Sequence, residues 1–261
     1  MPSAENLIQS LRSQPLLIVL RPGEPLQAVP TLERLHALGV VHVEIAWQPR
    51  QGWADQMAQL IEAFPALELG AASLCDLQGL IDASSAGCRY AVSPVLDPQL
   101  QQRASALDLL LVPGVMTASE VHQARKLGCA MVKLFPAVSV GREHWQRLRQ
   151  PLGFPLPFCI AAGGLRPADV LPWLAAGVDA VALGSGLGDL EAESEWRELL
   201  DLITAGRTRS GYGESVRAGW AAEPSTLEVF PAEPAAAKAG RGRRCRVGSD
   251  PARDSGLDPY A

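Results

Sequence analysis

Between Leu16 and about Ile203 the chain alternates short apolar runs, several rich in β-branched residues, with longer stretches whose apolar positions recur every three or four residues. Short apolar runs bounded by turn formers read as buried strands, and three-and-four spacing reads as amphipathic helices. The alternation therefore predicts βαβ units around a parallel sheet. About eight strands are expected: LLIVL from Leu16, VVHVEI from Val40, ALELG from Ala66, CRYAV from Cys88, LDLLLV from Leu107, AMVKL from Ala130, PFCIA from Pro157 and DAVAL from Asp179. Helical spacing is clear in PLQAVPTLERLHAL, WADQMAQLIEAF, SEVHQARKL and PADVLPWLAA. Gly39, Gly87, Gly128 and Gly177 each stand between a helix and the next strand, where the left-handed turn that ends a helix suits glycine. Ser3 to Arg12 reads as an extra helix closing the floor of a barrel. Eight units in this length favour a closed (β/α)8 TIM barrel of the α/β class over an open doubly wound sheet, with residues 1–205 as one domain.

After about Ala205 the pattern stops. Residues 206–261 are rich in Gly, Pro, Ala and Arg and show no sustained period, so they read as a disordered tail. Its cluster Arg241, Arg243, Arg244 and Arg246 reads as solvated rather than as a contact for nucleic acid or membrane.

Composition narrows the partners. A net charge of -5, with acids and bases mixed along most of the chain, provides no basic stripe for nucleic acid and no polybasic membrane patch. The start MPSAENLIQSLRS lacks a basic segment followed by a long apolar core, and no apolar run approaches the ~18 residues of a membrane span. A cytoplasmic protein acting on small molecules is expected. The cysteines number five, never at C-x-x-C spacing, and the four histidines lie in no ligand motif, so reduced thiols, no structural metal and no cofactor are expected.

In such a barrel the site lies at the C-terminal ends of the strands, so the polar residues after each apolar run are the candidates. Strand by strand they are Arg21, Glu44, Ser73, Ser93-Pro94, Pro113-Gly114, Lys133, Gly163-Gly164 and Gly184-Ser185. Lys133 is the sole charge in AMVKLFPA. On one reading it snorkels to water and carries nothing. On the other, apolar surroundings lower its pKa so that the neutral amine attacks a carbonyl and forms a Schiff base. The second and sixth strands lie opposite one another, so Glu44 and Lys133 can face each other across the top of the barrel, and a carboxylate there can move the protons that Schiff-base chemistry needs. Gly163-Gly164, followed by a helix from Arg166 to Ala176 and neighboured by Gly184-Ser185, offers backbone N–H groups and a helix N-terminus to a phosphate.

VPGVMTASEVHQARKLGCAMVKLFPA, together with GAAS, VSP, the GGL turn and LGSGL, resembles the class I 2-dehydro-3-deoxy-phosphogluconate (KDPG) and 4-hydroxy-2-oxoglutarate (KHG) aldolases, with the phosphogalactonate aldolases as close relatives. The resemblance covers about Pro15 to Ile203. It implies a homotrimeric barrel that cleaves a phosphorylated 2-keto-3-deoxy sugar acid to pyruvate and glyceraldehyde 3-phosphate without a metal. It also implies that Lys133 forms the Schiff base and Glu44 is the general acid/base. By the same resemblance Ser73, Pro94 and Phe135 line the pyruvate end, and Arg21 matches an arginine that several members carry after the first strand. Two positions depart from the family pattern: Gln48 stands where many members have arginine, with Arg50 nearby, and Ala161-Ala162 precede Gly163-Gly164 where the family has Pro-Thr. Two rival readings remain at this level. One is a phosphosugar isomerase or epimerase using Glu44 for proton transfer and Lys133 as a clamp. The other is a phosphate-ligand binding barrel without catalysis.

Overall fold

The computed structural model describes residues 4–209. The strands are β1 (Leu16–Leu20), β2 (His42–Ala46), β3 (Glu68–Ala72), β4 (Tyr90–Val92), β5 (Leu110–Val112), β6 (Gly114–Val115), β7 (Met131–Leu134), β8 (Phe158–Ala162) and β9 (Ala180–Leu183). They form one parallel sheet in the order β5-β4-β3-β2-β1-β9-β8-β7-β6. The two ends of that order, β5 and β6, are consecutive in the chain and separated only by Pro113, so the chain itself closes the ring. The expected fifth strand is therefore present in two pieces: β5 pairs with β4, and β6 pairs with β7. Proline is the physical cause, since it has no N–H to give to a ladder. Its carbonyl still accepts from Lys133 N at 2.8 Å, while Gly114 N donates to Val95 O at 3.2 Å.

Helices cover the outside: α2 (Val29–Leu38), α3 (Trp53–Ala63), α4 (Leu77–Ser85), α5 (Pro98–Ala106), α6 (Ala118–Lys126), the short α7 (Ala137–Val140), α8 (His144–Leu152), α9 (Val170–Ala175) and α10 (Glu193–Arg209). Their starts are set locally. Asp76 caps α4 by accepting from Gly79 N, and Thr117 and Glu120 form a reciprocal capping box on α6. Gly39, Gly87, Gly128 and Gly177 all adopt positive φ at the helix-to-strand turns, as their spacing predicts.

Alternation along each strand divides the core in two. Leu16 and Ile18 of β1 belong to the layer between barrel and helices, whereas Leu17 and Val19 belong to the barrel interior. The N-terminal helix α1 (Ala4–Ser13) adds Leu7, Ile8 and Leu11 to that interior cluster, beside Leu17, Met131 and Phe158 at the strand starts. Each such side chain contributes roughly 1.5–3 kcal/mol by burial, so α1 is a fixed floor rather than a loose extension. Among the described residues no helix is long and apolar enough to cross a membrane. The expected tail lies outside the described residues, except that α10 continues to Arg209, four residues past the expected boundary. Its arginine cluster from Arg241 to Arg246 lies wholly outside them.

Candidate active site

β2 is buried along its whole length, and its inward positions are His42 and Glu44, the latter 1% exposed. Four strand steps away through β1, and four the other way if the interrupted β5 and β6 count as one strand, stands β7, whose four residues are all buried and whose Lys133 is 5% exposed. The expected pair thus occupies opposite walls of one interior. The groups couple through charge rather than by a direct ion pair. Burial pushes the Glu44 carboxyl up to about 7, against the opposing pull of Lys133 and Arg21. Burial also holds the Lys133 amine below its ordinary value; Glu44 opposes that shift and Arg21 adds to it. Glu44 Oε2 has no hydrogen-bond partner. A buried carboxyl oxygen without a partner costs free energy.

The other candidates gather at the same end. Arg21, just past β1, donates to Ser73 Oγ at 2.9 Å. Ser73 follows β3 with φ 67, a left-handed conformation that non-glycine residues rarely adopt and that tends to be held at functional sites. Phe135 follows β7, with its ring centroid 5.5 Å from Lys133 Nζ. Pro94 follows β4, and a Cβ on Gly114 would lie 2.2 Å from its carbonyl oxygen, so the loop after β4 and the start of β6 touch backbone to backbone.

Gly163 and Gly164 follow β8 with φ 97 and 80. A side chain on Gly163 would run into the Phe135 ring at 2.9 Å, and one on Gly164 into Val138 at 2.6 Å. A Cβ on Gly186 would lie 2.4 Å from Leu165 O. The loops after β7, β8 and β9 are thereby knitted into one rim that includes Gly184 and Ser185. The helix expected from Arg166 to Ala176 is shorter. It opens with a 3-10 turn, Pro167–Asp169, and Arg166 N already donates to Asp169 Oδ2 at 2.9 Å. That N–H is taken, so of the anion donors expected at this rim it is the glycine backbone, not a helix N-terminus, that remains free to serve.

Gln48 and Arg50 are drawn away from the carboxyl. Gln48 Nε2 donates to Pro22 O at 3.2 Å, and Arg50 donates to Gly23 O and pairs with Glu24 at 3.3 Å. Both brace the loop after β1, which leaves Arg21 as the cation acting on Glu44 and Lys133 from outside the pair.

Two interior residues escaped the reading of strand ends: His42, whose Nδ1 donates to Leu16 O and whose Nε2 accepts from Ser10 Oγ, and Tyr90, whose hydroxyl is buried and unpartnered. The signal for both was available as parity, since His42 shares a face with Glu44 and Tyr90 shares one with Val92. A cavity of about 480 Å³ lies at the opposite, N-terminal end, beside Leu7, Glu68, Arg89 and Leu110, and none of the expected site residues lines it. Among the described residues no three His, Cys, Asp or Glu side chains gather so as to hold a metal ion.

A family model described as KDPG and KHG aldolase matches residues 7–202. The chain is 26% identical over 174 residues to the 2-dehydro-3-deoxy-6-phosphogalactonate aldolase of Escherichia coli, covering 66% of this chain and 84% of that one. It is 28% identical over 174 residues to the KHG/KDPG aldolase of the same organism, covering 66% and 79%. Among solved structures, the 2-keto-3-deoxy-6-phosphogluconate aldolase of Zymomonas mobilis superimposes with a TM-score of 0.62 at 25% identity, over 74% of this chain and 96% of that one.

Proposed function

The chain belongs to the KDPG and KHG aldolase family, and from that membership we propose that it cleaves 2-dehydro-3-deoxy-6-phosphogluconate to pyruvate and glyceraldehyde 3-phosphate, 4-hydroxy-2-oxoglutarate to pyruvate and glyoxylate, or both. The observation that carries the reading is the enclosure of one depressed amine and one raised carboxyl in a single barrel end. Neutral Lys133 Nζ attacks the C2 carbonyl, and the carbinolamine oxygen leaves as water with a proton from Glu44, forming the iminium. Glu44, now a carboxylate, takes the proton of the C4 hydroxyl as the C3–C4 bond breaks. The electron pair of that bond passes to C3 and into the enamine while the aldehyde departs. Glu44 then returns the proton to C3, and water hydrolyses the pyruvate iminium, restoring the neutral amine while the proton released goes back to Glu44. A carboxyl titrating near 7 suits a group that must give and take a proton in each turnover.

Arg21 and Ser73 provide a cation and a hydroxyl for the keto-acid carboxylate, with Pro94 and Phe135 as the apolar walls of the pyruvate end. Gly163, Gly164, Gly184 and Ser185 hold the distal phosphate. The enzyme works in the cytoplasm as a homotrimer, and residues 1–205 carry the activity independently of the tail. The test is pyruvate release, read through lactate dehydrogenase, from phosphogluconate-, phosphogalactonate- and hydroxyoxoglutarate-type substrates with and without EDTA. Release that EDTA leaves unchanged supports the reading. Preference for the galacto epimer would place this chain with the phosphogalactonate branch. No release from any of the three would overturn it.

A further inference from the structure

Two described side-chain atoms are fully buried without a hydrogen-bond partner: Glu44 Oε2 and Tyr90 Oη. They belong to inward positions of β2 and β4, with β3 between them. On β3, Gly70 is the register partner of Glu44. A Cβ on Gly70 would lie 2.5 Å from Tyr90 Cζ, the carbon that bears the hydroxyl. The phenol end of Tyr90 therefore lies over the residue beside Glu44, in space that only glycine leaves open. Tyr90 is 1% exposed, so its hydroxyl has no bulk water to turn to.

We propose that Tyr90 is a positioning residue for Glu44, its hydroxyl donating towards Glu44 Oε2 through one buried water. This rests on the reading of Glu44 as the acid/base group. Two orphaned buried atoms on inward positions either side of β3 each cost free energy when left alone, and one bridging water satisfies both. The charges around them are consistent with a donor phenol. Lys133 from β7 and Arg21 from beyond β1 act on Glu44, and His42 on its own strand is bound to Leu16 O and Ser10 Oγ. Glu44, Glu68 at the start of β3 and Cys88 before β4 act on Tyr90, and with burial they keep its phenol protonated well above the ordinary range. Donation favours the charged carboxylate. Tyr90 thus restrains how far burial raises Glu44, and it fixes which way the carboxyl points towards Lys133.

The experiment follows Glu44 titration by infrared difference between wild type and Glu44→Gln, which needs no turnover, alongside the pH profile of kcat/KM. Tyr90→Phe keeps the ring over Gly70. The expected result is a Glu44 midpoint moved alkaline by about 0.5–1 pH unit in both readouts, the size of one net hydrogen bond. A midpoint unmoved from wild type, whatever the change in Tm, would overturn the proposal. Should Tyr90→Phe fail to fold, 3-fluorotyrosine labelling decides. The chain has three tyrosines, of which Tyr90 alone is among the described residues. A more acidic phenol is a stronger donor, so the midpoint must move to lower pH; no movement rejects the role. Absence of pyruvate release from wild type would instead fail the aldolase reading, because the infrared midpoint is measured independently of turnover.

Discussion

On β2, His42 and Glu44 point into the same barrel interior two residues apart, yet they are treated differently. The His42 ring is bonded at both nitrogens, to Ser10 Oγ at 2.8 Å and Leu16 O at 3.2 Å, and burial pulls its pKa down to about 4. Glu44 keeps an unpartnered oxygen, and burial pushes it up to about 7. β7 repeats the contrast, with Met131 at the floor and Lys133 at the mouth. At the N-terminal end α1 packs over the barrel core and its Ser10 bonds the buried His42 ring. The C-terminal end holds two ionisable groups whose desolvation nothing in the folded chain fully offsets. Stability is concentrated at one end and unsatisfied chemistry at the other, so changes at the two ends should separate activity from stability.

The largest separation comes from Lys133→Met, which keeps the shape of the stem and removes the nucleophile. Turnover should fall by at least about 10,000-fold, to background, while Tm holds or rises because a buried amine has been replaced by an apolar group. Steady-state kinetics with thermal melts would show it; a large fall in Tm would mean the amine is structural.

Glu44→Gln should come next, lowering kcat by roughly 100- to 10,000-fold as general acid/base loss does, with pyruvate binding retained better than turnover. At the floor, Leu11→Ala should do the reverse. Leu11 is fully buried, and its truncation should cost about 2–5 kcal/mol in denaturant unfolding while kcat per folded molecule is unchanged. A selective loss of kcat there would break the division between the two ends.

The smallest effect is a pH dependence of opposite sign at the two ends. His42 has a lowered folded pKa, so the unfolded chain binds more protons between about 6.5 and 4, and stability falls as pH falls through that window. Glu44 has a raised folded pKa, so the folded chain binds more protons between 4.5 and about 7, and its contribution grows as pH falls through that range. In urea titrations at pH 7 and pH 4.5, His42→Gln should lose less stability on acidification than wild type, and Glu44→Gln should lose more, each by on the order of 1–3 kcal/mol. Equal slopes in all three proteins would remove the electrostatic half of the comparison.

Much of this was legible in the chain. LLIVL coincides with β1 to the residue, and the other expected strands are each found within three residues, because a parallel strand buried on both faces needs a continuous apolar run. Placing Glu44 and Lys133 on facing walls required only strand parity and an even count around the ring. Less was legible where partners are far apart in sequence. Pro113 signals a break, but only the change of partner from β4 to β7 shows that the ring closes through it. Tyr90 read as one more apolar strand residue, since its packing over Gly70 depends on register between strands. The capping of Arg166 by Asp169 was hidden because the 3-10 start of that helix is decided by the loop's approach.

The most direct measurement is borohydride trapping with labelled pyruvate followed by peptide mapping. The chain has three lysines, Lys126, Lys133 and Lys238, so the assignment is unambiguous. Lys126 is exposed on α6, whereas Lys133 is buried and its amine is held below its ordinary value by that burial. One adduct per chain, on the peptide containing Lys133, and none in Lys133→Met is the result this account predicts. No adduct, or an adduct on Lys126 or Lys238 that survives Lys133→Met, would contradict it.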